Sequence, residues 1–261
     1  MTRQRLFRII LISFLAALGL TGALHTHSQQ TSQKQIEEAT PVEEGVMSDK
    51  QRAHSKLYKA YQANPKLKEL IRRQPANDGE LLVTITPGSG ELSLTGRVIS
   101  ITESLNTLAG SADTVIVGKV TRKDSQITEE GTFAFTDYQL IVQEVLKDTS
   151  DKIQPEESIV VTRPGGRVLL EGHVITARDR RFAPMFVEGR YLLFLNRIAT
   201  TGAYQIVNDN GAFELTSQQK VEPLLQTADS LRIQQDATSF LREVRTAIAV
   251  TFSNKPGGLN E

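Results

Sequence analysis

Cysteine is absent from the 261 residues, which excludes disulfide scaffolds, thiol catalysis, zinc fingers and cysteine-anchored lipidation. Tryptophan is absent too. Charge of one sign is not in excess, since 30 Lys and Arg face 30 Asp and Glu; no global basic field draws the chain to nucleic acid. No glycine-rich phosphate loop of either common spacing occurs. Gly88-Ser89-Gly90 lacks the flanking residues of a Gly-x-Ser-x-Gly nucleophile elbow. What is present is ordinary for a folding chain: 39% hydrophobic and 23% charged residues, enough to exclude wholesale disorder.

The amino terminus carries the clearest functional signal. Arg3, Arg5 and Arg8 precede an uncharged run from Ile9 to Leu20, and the small residues Thr21, Gly22 and Ala23 follow. That order reads as a secretory signal peptide, residues 1–23, cut after Ala23. The rival reading is a membrane anchor over residues 6–24. Ile9 to Leu24 spans about 24 Å as a helix, short of a ~30 Å hydrocarbon core, which thinning or tilt accommodates. Export to the periplasm or the exterior is expected in one case, attachment to the membrane in the other.

Residues 24–47 are Gln-, Thr-, Ser- and Glu-rich without apolar period, and read as a linker. His25 and His27 lie in it without a third ligand, so no metal site is expected there. The segment 48–110 should hold a basic helical pair, a hairpin and a short helix. Ser48 with Gln51 forms a capping box, and Ala53, Leu57, Tyr58 and Tyr61 fall on one helical face. Pro65 opens a second helix with Leu67, Leu70 and Ile71 as its stripe. Eight Lys and Arg against Asp49 and Glu69 give residues 48–75 a charge of +6, suited to anionic lipid or polymer or simply to solvent. Alternation on either side of Pro87–Gly90 predicts a hairpin. Ser100 and Glu103 cap a helix that turns Ile101, Leu105 and Leu108 inward and stops at Gly110.

From 111 to 217 the pattern is β. Strands are expected at Thr114–Val120, at Thr132–Leu146 with a bulge near Gln143-Glu144, at Ser158–Thr162, at Val168–Leu170 beyond the Pro164-Gly165-Gly166 turn, and at Glu171–Ala177. Arg190–Leu195 is the most apolar and should be central. Ala203–Val207 and Ala212–Leu215 flank an Asn-Gly hairpin signal ending at Gly211. Strand parity sends Tyr138, Leu140, Val142, Leu193 and Leu195 into one core. Residues 218–250 end in a helix capped by Thr238 or Ser239, with Phe240, Leu241, Val244 and Ile248 facing the barrel. Residues 251–261 read as a tail. The fold class is therefore mainly β, α+β overall: a small antiparallel barrel or sandwich of about five to seven strands, flanked by an N-terminal helical pair and a C-terminal helix.

The sequence Ala112-Asp113 followed by VIVGKV, Thr136-Asp137-Tyr138, VQEVLK up to Lys147, the Pro164–Gly166 turn, YLLFL up to Leu195, and Gly211-x-Phe213 resembles, in that order, a domain of exported bacterial proteins without assigned function. Asp148 stands where that pattern has Gly. The long bent strand and strand count are similar to oligonucleotide/oligosaccharide-binding barrels, netrin-like metalloproteinase inhibitors among them. That likeness implies a protein-binding role, although such inhibitors use a disulfide-tied wedge and this chain has no Cys.

Chemistry is sparse. His54 and His173 are the only histidines in the part expected to fold, and Glu171 with His173 is the one candidate acid/base pair, by alternation on one strand. Arginine clusters more densely: Arg163, Arg167, Arg178, Arg180 and Arg181 sit on two neighbouring loops. Together they form a candidate carboxylate- or phosphate-reading surface unless local acids neutralise them. No cofactor or metal is expected. The reading that follows is an exported noncatalytic protein binding an envelope protein or anionic polymer, with no specific nucleic acid partner and with membrane contact through residues 1–24 and 48–75. A Glu171/His173 envelope hydrolase and a netrin-like protease inhibitor are the alternatives.

Overall fold

The computed structural model describes residues 39–42, 46–61, 66–73, 81–85, 101–179, 181–226, 233 and 235–253. The export segment, His25 and His27, the second half of the expected 81–95 hairpin, Arg180 and the tail from 254 lie outside the described residues. In chain order the elements are β1 (Thr40–Pro41), α1 (Asp49–Leu57), α2 (Leu67–Arg73), β2 (Leu81–Ile85), α3 (Ile101–Ser111), β3 (Thr114–Ile127), β4 (Ala134–Asp148) and β5 (Ser158–Pro164). They continue with β6 (Gly166–Leu170), β7 (His173–Asp179), β8 (Arg190–Arg197), β9 (Tyr204–Ile206), β10 (Ala212–Leu215), β11 (Val221–Pro223) and α4 (Ala237–Ser253).

Five strands close into a barrel in the order β8-β3-β4-β5-β9, with β9 pairing back onto β8. The ring is mixed rather than wholly antiparallel, because β5 and β9 run parallel. Parity requires this: directions cannot alternate all the way round a ring with an odd number of strands. Opposite Val117 stands Glu144 and opposite Gly118 stands Val142, which leaves Gln143 as one of three irregularities that bend the β3–β4 pair round the barrel. Tyr138, Leu140, Val142, Leu193 and Leu195 all join the interior core, with Ile116, Val120 and Val161.

The other face of β3 and β8 is buried as well. Val115, Val117, Leu192 and Phe194 pack with Phe213 against Leu105 and Leu108 of α3 and Phe240, Val244 and Ile248 of α4. Burial on both faces explains why 191–195 is apolar without alternation. The C-terminal helix thus covers the barrel, but its cap is Asp236, whose carboxylate accepts from the Ser239 N–H and hydroxyl at 3.0 Å each. Thr238 and Ser239 fall inside the helix instead. Helix α3 runs through Gly110 to Ser111, one residue past its expected stop.

A second sheet, β1-β6-β7-β2, extends from the barrel. The Pro-Gly-Gly turn makes the transfer: Gly165 has φ +92°, and a Cβ on Gly166 would lie 2.5 Å from Thr136 Oγ1. Only glycine allows the chain to leave the barrel so close to β4. A two-residue turn, Glu171 at φ 51° and Gly172 at φ 80°, then joins β6 to β7. β2 pairs in parallel with β7, and α2 covers this sheet with Leu67 and Ile71. Thr40–Pro41, inside the stretch read as linker, pairs with Val168 and Leu169.

The Asn-Gly signal does not make a hairpin. β9 and β10 both lie along β8, antiparallel to it, one beside its end and the other beside its start. An eight-residue β8 has room for both, and this placement sends Phe213 into the helix-covered core rather than to solvent.

Asp148, at the end of β4, organises the loop that follows. Its carboxylate accepts from the Ser150 N–H and hydroxyl and the Lys152 and Ile153 N–H groups at 2.8–3.1 Å. Partial burial pushes its pKa up, but these hydrogen bonds outweigh it and hold the group below the ordinary carboxylate value. A depressed native pKa gives stability that is present above the unfolded value and is lost as pH falls through the native one. In urea melts across the acid range, Asp148→Asn should therefore show a shallower fall in midpoint than the parent. Superimposable acid limbs would count against Asp148 as the source.

Candidate functional site

Helix α1 starts as the sequence indicates. Ser48 Oγ accepts from the Gln51 N–H at 3.2 Å and Gln51 Oε1 accepts from the Ser48 N–H at 2.9 Å. Its inner face differs from the expected apolar stripe. His54 and Ser55 are buried, at 2% and 0% exposure, while Leu57 is 40% exposed. The helix docks on the barrel mainly through polar groups. Gln51 Nε2 donates to Asp124 at 3.2 Å, Ser55 Oγ accepts from the Glu129 N–H at 2.7 Å, and the Tyr58 hydroxyl donates to Thr162 at 3.1 Å. Tyr58 also stacks on Phe135 and Tyr61 on Phe133. Burial holds both tyrosine hydroxyls protonated, well above their ordinary range.

At the centre of this contact stands His54. Its Nδ1 lies 2.9 and 3.0 Å from the two Asp137 carboxylate oxygens and its Nε2 lies 2.9 Å from Thr201 Oγ1. The Asp137 carboxylate can only accept, so Nδ1 donates to it, and Nε2 faces the Thr201 hydroxyl. Carboxylate, imidazole and hydroxyl stand in the order of an acyl-transfer triad. The Thr201 and Gly202 N–H groups both donate to the Ile198 carbonyl, at 3.2 and 2.9 Å, and the Ala203 N–H turns onto Thr201 Oγ1 itself at 3.3 Å. These three N–H groups are thus turned into their own loop rather than aimed at a developing oxyanion, usually the largest contribution in acyl transfer. The chain of bonds is a clamp joining α1, β4 and the β8–β9 loop.

The clamp borders a cavity of about 590 Å³. Its walls come from α1, β3, β4, the 152–160 segment and the β8–β9 loop, and Arg122, Gln139, Lys152, Ser158 and Arg197 stand around it. The Asp148-anchored loop delivers Lys152 and Ile153 to one wall. Among the described residues no group of three His, Asp or Glu side chains gathers as a metal site would require.

Of the arginines anticipated as one surface, Arg163 and Arg181 meet over one aromatic ring, and both are engaged there. Arg163 is buried at 6% exposure, donates to the Ala183 carbonyl at 3.2 Å and lies over the Phe182 ring. Arg181 lies over the same ring, but Asp179 and Asp209 grip it at 2.8 Å each and raise its pKa further. Arg178 is exposed on β7 and Arg167 is half-buried on β6. Phe182, Ala183 and Met185 close over this end, Met185 being fully buried. Glu171 and His173 are not alternate residues of one strand, because Glu171 belongs to the turn and meets Lys68 Nζ at 3.1 Å.

His54, Asp137 and Thr201 escaped the sequence reading. One signal was available: Asp137 is an acid set among Phe133, Phe135 and Tyr138, where burial without a partner would be costly. The partner, 83 residues away, was not marked by any spacing. Compared with models of known protein families and with curated proteins, the chain matches none.

Proposed function

We propose that the chain is an exported, noncatalytic binding protein that engages an envelope or extracellular macromolecule at the cavity beside α1. One observation carries this reading: an open cavity of about 590 Å³ lies on a closed barrel, next to a hydroxyl–imidazole–carboxylate chain in which the Thr201, Gly202 and Ala203 N–H groups are already engaged within their own loop. A cavity of that size suits a ligand or a protruding group of a larger one. The ring order, in which the third and fifth barrel strands run parallel and the fourth closes on the first, supports the likeness to oligonucleotide/oligosaccharide-binding barrels. In such barrels the face of the second and third strands and the loop joining the fourth to the fifth carry the ligand; here β4, β5 and the β8–β9 loop line the cavity.

The test is co-sedimentation of the full chain with envelopes of its host cells. Gln139 is exposed on β4 and lines the cavity, so Gln139→Trp should fill the mouth without disturbing the core. The parent should sediment with envelopes and Gln139→Trp should remain in solution at an unchanged melting temperature. Equal sedimentation of both proteins would place the binding surface elsewhere.

A further inference from the structure

Charge is distributed unevenly around the cavity. Lys50 from α1, Arg122 from β3, Lys152 from the loop after β4 and Arg197 from the end of β8 all line it, and all four are exposed. None has an acidic partner among the described residues. Elsewhere on the molecule Arg181, Arg245, Lys68 and Lys119 each meet a carboxylate. Three acids line the cavity as well, and each is hydrogen-bonded away from the four cations. Asp137 is held by His54, Asp124 accepts from the Gln51 and Gln126 side-chain amides, and Glu157 accepts from the Gln154 N–H. The side-chain hydrogen bond of Arg197 goes to the uncharged Tyr204.

Four cations from four different elements around one cavity suit several anionic groups along an extended ligand better than one compact ion. Between them stand the amides and hydroxyls of Gln51, Gln139, Ser158 and Thr201, suited to a hydroxyl-rich backbone. The only aromatic residue in the lining is Tyr204, at 5% exposure. Single-stranded nucleic acid relies on exposed aromatic platforms for its bases, and the closed strand ring leaves a peptide little free edge to pair with. We infer that the cavity beside α1 is a binding site for an acidic oligosaccharide, whose carboxylates are read by Lys50, Arg122, Lys152 and Arg197.

This inference rests on the binding role proposed above and names the ligand chemistry of that same site. Calorimetric titration of the full chain with tetragalacturonate tests it, alongside the neutral methyl ester of the same oligosaccharide, tetrapolyphosphate and a short single-stranded oligonucleotide. Tetragalacturonate should bind, more weakly as salt rises, and its methyl ester should not. In Arg122→Gln/Arg197→Gln, affinity should fall about tenfold or more for each charge-assisted hydrogen bond removed, at an unchanged melting temperature because neither side chain is in an ion pair among the described residues. Three results would overturn the inference: equal affinity in the double variant, tighter binding of tetrapolyphosphate or the oligonucleotide, or no binding of tetragalacturonate by a parent protein that still sediments with envelopes. The last would leave the binding role standing and remove only the acidic saccharide; loss of sedimentation as well would remove both.

Discussion

Truncating Leu193 to alanine should lower the stability of the chain by about 2–5 kcal/mol, the range for a large aliphatic side chain removed from a core that cannot collapse round the gap. Leu193 is fully buried, on the strand that pairs with β3 on one side and with β9 and β10 on the other. Its side chain meets the barrel interior, and the neighbours Leu192 and Phe194 face the helices. With both faces covered, no element is free to move into the cavity left behind. Arg190, exposed at the start of the same strand and bonded to Gln143 at its rim, supplies the contrast. Arg190→Ala should change stability by no more than about 0.5 kcal/mol. Urea melts of the two variants decide the matter, and a Leu193→Ala loss below about 1 kcal/mol would contradict the packing assigned to β8.

Lys147→Met should be the second costly change, although it keeps an unbranched side chain of similar length. The Lys147 ammonium, on a residue 8% exposed, donates to the carbonyls of Ala109 and Ala112 at 2.7 and 2.6 Å. These are among the last carbonyls of α3 and of the turn leaving it, groups without an acceptor role inside the helix. A cation there also complements the helix dipole. Methionine would leave both carbonyls buried and unpaired. Each charge-assisted bond is worth about 1.5–3 kcal/mol, but removing a largely desolvated ammonium gives some of that back, so a net loss of about 2–4 kcal/mol is expected. The Phe252 ring, 5.8 Å from the ammonium, should lose its anchor at the same time. Lys147→Arg should recover much of the stability if hydrogen bonding is the cause. A Met variant as stable as the parent would mean that water replaces the ammonium at both carbonyls.

These two residues differ in how visible they were. Leu193 lies in an apolar run, and strand parity relative to Leu195, together with the alternation of Tyr138, Leu140 and Val142, was enough to assign all five to one core. Lys147 follows Leu146 in a recognisable pattern, yet nothing local shows that its ammonium is buried. The same contrast holds at the candidate site. The capping box at Ser48 and Gln51 was legible because both partners lie within one helical turn. The face that helix buries was not, since its docking uses hydrogen bonds to Asp124, Asp137, Thr162 and Thr201, residues far along the chain. An apolar stripe is an average over solvent exclusion, whereas a polar docking surface depends on which acceptor stands opposite.

Periodicity and local backbone preference were sufficient for most of the elements, the bulge in β4, the residues of the barrel interior and the barrel-covering C-terminal helix. Three features came instead from closure in three dimensions. The ring closes through a parallel β5–β9 pair, Asn208–Gly211 lets the chain continue along β8 instead of turning back, and two of the clustered arginines become engaged within the fold. Arg163 enters the protein and Arg181 is neutralised by Asp179 and Asp209, while Lys50, Arg122, Lys152 and Arg197, scattered through 148 residues of chain, come to line one cavity. The reason is physical. Hydrophobic burial reads out as a period along the chain, but charge acts through distance in space, and closure of the barrel sets those distances.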